Sequence, residues 1–388
     1  MRFLIAPDSF KGSLSALAAA QCMERGARAV FPTALCDLAP MADGGEGTVD
    51  ALVESTGGTL RSLGVRGPLG APVNARYGIL GDGRTAVVEM AAASGLPLLR
   101  REERDPLAAC TYGTGELIRA ALAELHAKRH AKRPKLIVGI GGSATNDGGA
   151  GAIRALGARF LDSDGKDLEP GGAALAGLAS LDLTRLDPLL GETEILVACD
   201  VDNPLCGPRG ASAVFGPQKG ADPGMVERLD KALARYAAIA AQATGLAAAE
   251  LPGAGAAGGL GAGLLFFTGA SLRPGVEIVL EATNFTARAE IADIVLTGEG
   301  RSDVQTAYGK APVGVARAAK RFGKPVICIS GSLGDGVEAV YEQGIDAVAD
   351  AISDIVTLEE CMKNAGPVLE KAVERTLRAL KAGMEMGR

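Results

Sequence analysis

The sequence predicts an α/β fold of two domains, in which a discontinuous, doubly wound parallel-sheet domain carries a second α/β domain as an insertion. Apolar runs repeatedly end in a polar or Gly-rich turn that leads into a helical pattern, which is the order of elements in a parallel sheet. The chain has 388 residues, more than a single hydrophobic core normally supports. It also combines 54 Gly with an aromatic fraction of 4%, which is typical of Val/Ile/Leu strands, Ala-rich helices and glycine-containing turns.

The first strand, loop and helix open the chain. Residues 3–6 are apolar and lead into Pro7-Asp8-Ser9, and a helix that Ser13 or Ser15 can cap then runs to Val30. The same order recurs along the chain. The further predicted strands are 34–39, 136–140, 195–198, 294–296 and 326–329, with helices at 48–55 and 313–322.

Two regions interrupt this order. Residues 57–105 hold short β-like pieces separated by Gly and Pro, as in an antiparallel meander. Residues 170–255 are punctuated by Gly and Pro and contain one Ala-rich helix near 225–247. We therefore assign residues 1–75 together with 285–388 to the discontinuous domain, and residues 76–284 to the inserted domain.

The charge balance argues against a polyanionic partner. Forty Lys and Arg residues against 46 Asp and Glu give a net charge of −6, so no surface for nucleic acid or anionic lipid is expected. The one basic cluster, residues 126–135, is typical of a solvated helix end. His126 and His130 within it are spaced like metal ligands, but the surrounding Lys and Arg residues oppose a divalent cation, so we expect both to be exposed.

Cysteine usage and hydropathy predict a cytoplasmic protein. The seven Cys are scattered, without a Cys-x-x-Cys pair, which is typical of a reducing compartment. The apolar start of the chain is too short for a signal peptide. The uncharged stretch 253–272 contains seven Gly, so we expect a Gly-rich loop and a short buried segment at 264–267 in place of a membrane span.

The segment 139–149 is a candidate ligand-binding loop. Gly139-Ile-Gly141-Gly-Ser-Ala144 follows a predicted strand and fits G-x-G-x-x-A, which leaves an NAD-dependent hydroxy-acid dehydrogenase as an alternative. The following Thr, Asn, Asp and Gly favour a phosphate-binding loop, because they offer backbone N–H groups and short side chains. The predicted nucleotide-contacting residues are Gly141, Gly142, Ser143, Thr145, Asn146, Asp147 and Gly148.

Charged side chains follow several predicted strands. Ligands of doubly wound sheets bind beyond the carboxyl ends of the strands, so we expect these charges to gather at one sheet edge. Phosphoryl transfer needs cations, carboxylates that hold Mg²⁺ and a base for the attacking hydroxyl. The candidates are Asp43 or Asp303 for the base, Lys11 and Arg301 for a substrate carboxylate or the moving phosphoryl group, and Asp200 and Asp202 for Mg²⁺.

Seven motifs, in this order, together resemble the bacterial glycerate kinase family of the glycerate 2-kinase type. They are Ala6-Pro-Asp-Ser-Phe-Lys-Gly-Ser, Met41-Ala-Asp-Gly-Gly-Glu-Gly-Thr, Tyr112-Gly-Thr-Gly-Glu, Gly139-Ile-Gly-Gly-Ser-Ala-Thr-Asn-Asp-Gly-Gly-Ala-Gly, Cys199-Asp-Val-Asp-Asn-Pro-Leu-Cys-Gly, Phe215-Gly-Pro-Gln-Lys-Gly and Thr297-Gly-Glu-Gly-Arg-Ser-Asp-Val-Gln-Thr. The resemblance runs nearly end to end. One departure is Ser302, which stands where an apolar residue is expected.

The resemblance implies ATP-dependent phosphorylation of D-glycerate at the 2-hydroxyl, with Mg²⁺, in glycerate and glyoxylate catabolism. It also implies that the discontinuous domain is flavodoxin-like. D-glycerate and ATP are then the expected partners, without nucleic acid or membrane, and a homo-oligomer is left open. Phosphorylation at the 3-hydroxyl, the dehydrogenase and a non-catalytic sensor of a small molecule stay as alternatives.

Overall fold

The structure is a computed structural model that describes residues 1–128, 131–354 and 357–386. The chain forms two compact units. Unit 1 comprises Met1–Asp43, Asp50–Thr56 and Val276–Arg388, and unit 2 comprises Gly44–Val49 and Gly57–Gly275. Each unit contains parallel strands and helices, which confirms the predicted mixed α/β class.

Every apolar run that the sequence predicted as a parallel strand is a strand in the structure. The strands, in chain order, are β1 (Arg2–Ile5), β2 (Leu35–Leu38), β3 (Thr59–Arg66), β4 (Pro72–Ile79), β5 (Thr85–Glu89), β6 (Lys135–Gly139), β7 (Arg159–Leu161), β8 (Ser180–Asp182), β9 (Glu194–Ala198), β10 (Ser271–Arg273), β11 (Ile294–Thr297), β12 (Arg301–Ser302), β13 (Val326–Ser330), β14 (Ser332–Leu333) and β15 (Ala347–Asp350).

The helices also follow the sequence signals. Ser15, one of the two predicted caps, accepts a hydrogen bond from the backbone N–H of Ala18 at 3.2 Å and starts the first helix. The helices are α1 (Ala16–Val30), α2 (Thr48–Thr56), α3 (Ala91–Ser94), α4 (Tyr112–His126), α5 (Ala150–Ala155), α6 (Leu189–Glu192), α7 (Ala211–Phe215), α8 (Pro223–Thr244), α9 (Ala256–Thr268), α10 (Gly275–Ala282), α11 (Phe285–Glu290), α12 (Ala311–Lys320), α13 (Leu358–Lys363) and α14 (Ala365–Met386).

Unit 1 is built on a five-stranded parallel sheet in the order β2-β1-β11-β13-β15. When only the five strands of this sheet are numbered in chain order, the order is 2-1-3-4-5. Helices α1 and α14 pack closely, because α1 has Gly26 where a Cβ would lie 2.5 Å from the Glu370 carbonyl oxygen of α14. Met23 and Val373 from these helices join Phe3 in one fully buried core, so both helices pack on the sheet.

Unit 2 is built on a six-stranded sheet in the order β3-β4-β5-β6-β9-β10. Strands β3, β4 and β5 are antiparallel neighbours, as the meander signal predicted, while β5, β6, β9 and β10 run parallel. Its core includes an aromatic cluster in which Phe160, Tyr236 and Phe267 have ring centroids 6.1–6.4 Å apart.

Strands β3 and β4 lie in unit 2, whereas the expected division at residue 75 assigned β3 and the first half of β4 to the discontinuous domain. Thr59 to Arg66 pair with Ile79 to Pro72 along the whole of both strands, so a boundary at residues 75 and 76 would cut through β4. Both strands lie in the sheet of unit 2, because their hydrogen bonds continue through β4 into β5. Unit 1 resumes at Val276, nine residues before the expected position 285.

The expectation of one sheet edge for all polar turns is wrong. The turns after β1, β2, β11 and β13 belong to the sheet of unit 1, whereas those after β6 and β9 belong to the sheet of unit 2. The apolar runs are similar in both regions, and the pairing partners that separate them are distant in the chain. The candidate residues therefore form two groups, one in each unit.

The stretch 253–272 is helical over more of its length than expected. Ala257, Gly258 and Gly259 have positive φ values of 56°, 67° and 91° and make a turn at the start of α9, after which an apolar helix continues with Leu260 and Leu264 fully buried. None of the helices in the described part of the chain is long and apolar enough to cross a membrane.

The two histidines of the basic cluster were expected to be exposed. His126 is half-buried, and its Nε2 lies 2.9 Å from the Thr193 hydroxyl, so that expectation is wrong for this residue. His130 lies outside the described residues.

Candidate functional site

In unit 1 the loops after β1, β2 and β11 lie side by side. The backbone N–H of Asp8 donates to the Gly298 carbonyl at 2.8 Å, and the N–H of Met41 donates to the Pro7 carbonyl at 2.8 Å. Gly298 is required there, because a Cβ would lie 1.9 Å from the backbone oxygen of Ile329. These contacts bring together the acidic loops that follow three neighbouring strands.

Asp8 is the carboxyl group that this arrangement perturbs. Burial, together with the charges of Asp43 and Glu299, raises the pKa of Asp8 to about 7. A hydrogen bond from the Ser9 N–H at 2.6 Å and the nearby Lys11 ammonium act in the opposite direction. Asp8 therefore exchanges its proton near neutral pH, as a general base or acid does.

Glu299 lies in a buried polar network. Its Oε1 accepts hydrogen bonds from the Thr306 hydroxyl at 2.6 Å and from the Ser302 hydroxyl at 3.0 Å. Lys310 Nζ is 3.7 Å from Oε2. Burial raises the pKa of Glu299, although these partners oppose the shift. Ser302, which stands where an apolar residue was expected, is fully buried and also lies 2.7 Å from the Ser330 hydroxyl and 3.8 Å from the Cys328 Sγ. Its hydroxyl therefore has three partners in the network.

Asp303 and Arg301 form a pair at the edge of this group. Asp303 caps the 3-10 helix Val304–Tyr308, because its Oδ1 accepts from the Gln305 N–H at 2.9 Å. Arg301 Nε lies 3.6 Å from Asp303 Oδ2, and 66% of the Arg301 side chain is exposed. The guanidinium is thus available to an anion, while the carboxylate of Asp303 also serves the helix cap.

The four catalytic candidates predicted from sequence all lie beyond the carboxyl ends of the parallel strands of unit 1: Lys11 after β1, Asp43 after β2, and Arg301 and Asp303 after β11. Arg301 itself is part of the two-residue strand β12. Asp8, which was not among them, is the most perturbed carboxyl of the group. A signal for it was present, since it is the first charged residue after the buried strand β1. Strand-end position alone could not separate it from its neighbours.

In unit 2 the first half of the loop 139–149 lies against the turn after α3. The Ala144 N–H donates to the Ser94 carbonyl at 2.9 Å, and Gly142 accepts from the Leu96 N–H at 2.9 Å. A Cβ on Gly141 would lie 2.9 Å from Gly45 Cα, so glycine permits this approach. Gly141, Gly142 and Ser143 are therefore held as a backbone-lined turn directly after β6.

The helix that follows this loop begins later than the dinucleotide pattern requires. That pattern needs a helix packed on the sheet within the glycine motif, but α5 begins at Ala150 and has six residues. Gly148 and Gly149 both have positive φ, at 63° and 77°. The geometry disfavours the dehydrogenase alternative.

Asp147 anchors the loop from inside. It is 1% exposed, and its carboxylate accepts from the N–H and hydroxyl of Thr111, both at 2.8 Å, and from the N–H groups of Gly149 and Gly151, both at 3.1 Å. Four donors from the protein satisfy this carboxylate. Asp147 therefore shapes the loop, and any contact with a nucleotide falls to the backbone around it.

Lys219 lies beneath the same loop, and the sequence analysis gave it no role. It is 1% exposed, and its Nζ donates to the Thr145 carbonyl at 2.7 Å. Burial lowers the pKa of Lys219 to about 7, while the charge of Asp147 opposes the shift. The adjacent Asn146 is also fully buried and donates to the Ser212 hydroxyl at 2.9 Å. The motif Phe215-Gly-Pro-Gln-Lys-Gly was the sequence signal for this contact.

The two candidate metal ligands follow β9. Asp200 Oδ1 accepts from the Gly275 N–H at 2.9 Å, and the exposed Asp202 carboxylate lies 3.0 Å from Arg209. Since Gly139 of β6 pairs with Ala198 of β9, the Asp200 loop and the loop 139–149 leave adjacent strands. Across residues 1–128, 131–354 and 357–386, no group of three or more His, Cys, Asp or Glu is arranged to hold a metal.

The chain is similar to known proteins over nearly its full length. A sequence model described as the Glycerate kinase family matches residues 3–381. The "Glycerate kinase" of Bacillus subtilis (strain 168) is 52% identical over 388 residues, which cover 100% of this chain and 99% of that protein. The "Glycerate 2-kinase" of Escherichia coli (strain K12) is 49% identical over 384 residues, covering 99% of each.

A solved structure agrees with these relatives. The crystal structure of a Salmonella typhimurium LT2 protein provisionally named glycerate kinase 2 has a TM-score of 0.89 to this chain, with 51% sequence identity and 99% coverage of both chains. Proteins that share about half of their residues over the full length also share a fold and a family. The chain therefore belongs to the glycerate kinase family.

Proposed function

We propose that this protein transfers the γ-phosphoryl group of ATP to the 2-hydroxyl of D-glycerate, in glycerate and glyoxylate catabolism. The observation that carries the proposal is the match of the chain to the glycerate kinase family over residues 3–381. The contacts among the loops after β1, β2 and β11 support it, because they surround the Asp8 carboxyl, whose pKa of about 7 suits a general base. The "Glycerate 2-kinase" among its relatives supports the 2-hydroxyl as acceptor.

Asp8 is the proposed base. Its carboxylate takes the proton of the 2-hydroxyl as the oxygen attacks the γ-phosphorus, and the bond from that phosphorus to the bridging oxygen breaks to release ADP. Asp43, a candidate base from sequence, assists by raising the pKa of Asp8. Asp303, the other candidate, is engaged by the helix cap and by Arg301, which favours Asp8.

Cations beside Asp8 bind the anionic groups. Lys11 reduces the pKa shift of Asp8, so its ammonium lies within electrostatic range of the proposed base. The Arg301 guanidinium is mostly exposed and offers the planar pair of donors that suits a carboxylate or phosphoryl group. We assign to Lys11 and Arg301 the glycerate carboxylate or the phosphoryl oxygens.

The loop 139–149 of unit 2 binds the ATP phosphates in this proposal. The backbone of Gly142 and Ser143, with the Thr145–Asn146 peptide, supplies N–H donors, and Asp147 fixes their directions from inside. Gly141 and Gly148 contribute by the shape of the turn, because their own N–H groups donate to the Gly44 and Gly258 carbonyls. Because Asp147 and Asn146 are buried, their side chains act by shaping the backbone.

Mg²⁺ is the metal we propose, held by Asp200 and Asp202. Mg²⁺ in kinases is typically bound by one or two carboxylates together with phosphate oxygens and water, which fits a pair of carboxylates one strand away from the phosphate loop. When bound, Mg²⁺ neutralises charge on the phosphate oxygens. The absence of a three-ligand cluster among the described residues is consistent with a metal that arrives with the nucleotide.

We also propose that unit 1 is a flavodoxin-like domain and that unit 2 is inserted into it. The strand order 2-1-3-4-5 in unit 1 supports this, since it is the flavodoxin-like doubly wound order. The candidate catalytic loops leave the carboxyl ends of its strands, where ligands of such sheets bind. A cytoplasmic location suits an ATP-dependent enzyme with scattered thiols.

A coupled assay tests the proposed function. The protein is incubated with D-glycerate and Mg-ATP, and enolase is then added without phosphoglycerate mutase. Prompt phosphoenolpyruvate is the expected result, because enolase acts on the 2-phosphate. Phosphoenolpyruvate that forms only after mutase is added would mean phosphorylation at the 3-hydroxyl, and ADP release that does not depend on glycerate would rule out the assignment.

A further inference from the structure

We propose that Lys219 is a positioning residue for the ATP triphosphate, because its buried ammonium fixes the Thr145 carbonyl and thereby the backbone of the loop 141–148. This inference rests on the proposed function, which puts the nucleotide phosphates at that loop. It gives a role to a side chain that the reaction described above does not use.

The segment 211–219, which carries Lys219, hydrogen-bonds two successive residues of the loop. Lys219 ends the 3-10 helix Pro217–Lys219 and holds Thr145 through its carbonyl at 2.7 Å. In α7, just before this helix, the Ser212 hydroxyl accepts the Asn146 side-chain amide at 2.9 Å. Two hydrogen bonds from one short segment therefore fix the Thr145–Asn146 peptide.

The other side of the Thr145 carbonyl is closed by the turn that opens α9. A Cβ on Gly258 would lie 2.0 Å from the Thr145 oxygen, and the Gly258 carbonyl accepts from the Gly148 N–H at 2.9 Å. The carbonyl is thus confined between the Lys219 ammonium and the Gly258 backbone. In a planar trans peptide the N–H points opposite to the C=O, so Lys219 turns the Asn146 N–H away from itself.

The cost of burying Lys219 argues for a role beyond packing. A buried ammonium is unfavourable unless it is paired, and in the described part of the chain its one hydrogen bond is to a neutral carbonyl. Asp147 is the opposing charge, and four protein donors already hold that carboxylate. A bound triphosphate favours the protonated form of Lys219, because an opposite charge nearby stabilises an ammonium. That ammonium, already fixed beneath the loop, then stabilises the polyanion without reorganisation.

The test compares the wild type with two variants. Lys219→Met keeps the length of the side chain and removes its charge. The matched control is Lys231→Met on α8, where the exposed Lys231 forms a surface ion pair with the exposed Glu227. For each protein we would measure Tm, kcat, the KM for ATP and for D-glycerate, and amide hydrogen exchange of the loop 141–148.

We expect Lys219→Met to raise the KM for ATP at least about tenfold, which corresponds to about 1.4 kcal/mol or more of lost ATP affinity. The KM for D-glycerate should stay within about twofold of the wild-type value. Hydrogen exchange of the loop amides should become faster. Lys231→Met should match the wild type. An unchanged KM for ATP in folded Lys219→Met would overturn the proposal, as would equal losses for both substrates that follow a fall in Tm.

Two further outcomes are separable. If the wild type does not phosphorylate D-glycerate, the proposed function fails, whereas wild-type turnover with an unchanged KM for ATP in the variant defeats only the role of Lys219. If Lys219→Met fails to fold, amide hydrogen exchange of the wild-type protein with and without ATP tests the inference instead. ATP must then slow exchange of amides 141–148 more than elsewhere in unit 2, and unchanged exchange there would overturn the inference.

Discussion

At the scale of single residues, environment separates carboxyl groups that look equivalent in the sequence. Asp8 is raised to a pKa of about 7 by burial and by two acidic neighbours, whereas Asp303 caps a helix and pairs with Arg301. The first arrangement produces a group that gains and loses a proton near neutral pH. In the proposed reaction, catalytic proton transfer therefore depends on the loops that bring Asp43 and Glu299 near Asp8.

Replacement of Asp8 tests this assignment. A general base contributes about 100-fold to 10,000-fold to the rate, so Asp8→Asn should lower kcat at least about 100-fold.

Asp303→Asn should lower kcat at least about tenfold with the fold intact, because Arg301 loses its partner. Steady-state kinetics measure both, and near-normal kcat in Asp8→Asn would remove Asp8 from the mechanism.

The Asp8→Asn substitution should also stabilise the protein in a pH-dependent way. The pKa of Asp8 rises from 3.8 to about 7 on folding. Between these pH values the folded state keeps a proton that the unfolded chain releases, so stability falls as pH rises through the window. Asp8→Asn lacks this loss, and its Tm should exceed that of the wild type at pH 8 by more than at pH 5. A gain that is equal at both pH values would contradict the raised pKa.

The pH dependence of the rate should report the same group. kcat/KM should rise with pH through about 7 as Asp8 loses its proton. Asp43→Asn removes a neighbouring negative charge, so the rise should move to lower pH while kcat falls less than about tenfold. A pH profile of the variant measures the shift. A loss of about 100-fold in kcat without a shift would make Asp43 the base.

At the scale of elements, the turn that opens α9 fits the loop 145–148 because it has no side chain at Gly258. Gly258→Ala should destabilise unit 2 and weaken ATP binding, since the new Cβ would lie 2.0 Å from the Thr145 oxygen. Gly269→Ala is the matched control, because its φ of 66° is close to the 67° of Gly258 and nothing lies within 4 Å of its Cβ.

The difference between the two alanine variants isolates the contact from the backbone strain. We expect Gly258→Ala to cost about 1–3 kcal/mol more than Gly269→Ala, as in other overpacked sites. Thermal and urea unfolding, with calorimetric titration of ATP, measure the two effects. Equal destabilisation in both variants would mean that positive φ alone explains these glycines.

The sequence predicted the elements better than their partners. Apolar runs such as 294–296 and 326–329 became β11 and β13, and Ser15 caps α1, because burial of short apolar segments and capping are local effects. The failures concern distant pairing. Nothing local assigns β3 to the sheet of unit 2, and the positive φ of Ala257, which shapes the start of α9, is imposed by the surrounding structure.

The candidate site shows the same limit at the scale of the whole molecule. The loops that carry Lys11, Asp43, Arg301 and Asp303 were predicted at strand ends and lie there in unit 1. The expected single sheet edge was wrong, because strand pairing divides these residues from Asp200 and Asp202. Asp8 and Lys219 were missed, since their pKa shifts arise from burial that a local pattern does not reveal.

At the scale of the whole molecule, we propose that Asp200 helps to bind the Mg²⁺ that neutralises charge on the phosphate oxygens. Asp200→Asn should raise the Mg²⁺ concentration needed for half-maximal rate at least about tenfold, because one carboxylate fewer holds the metal. Asp82→Asn is a control at a surface turn of unit 2, where the carboxylate pairs with Arg84. A titration of rate against Mg²⁺ measures both, and identical midpoints would exclude Asp200 as a ligand.

The identity of the product is the most direct test of the central claim that this chain phosphorylates D-glycerate at its 2-hydroxyl. Phosphorus NMR of the reaction with Mg-ATP distinguishes the isomers, because the phosphorus couples to one proton on C2 or to two on C3. The account predicts a new doublet that grows with ADP and requires D-glycerate. A triplet would place the phosphate on C3, and ATP that stays intact in the presence of glycerate would contradict the account.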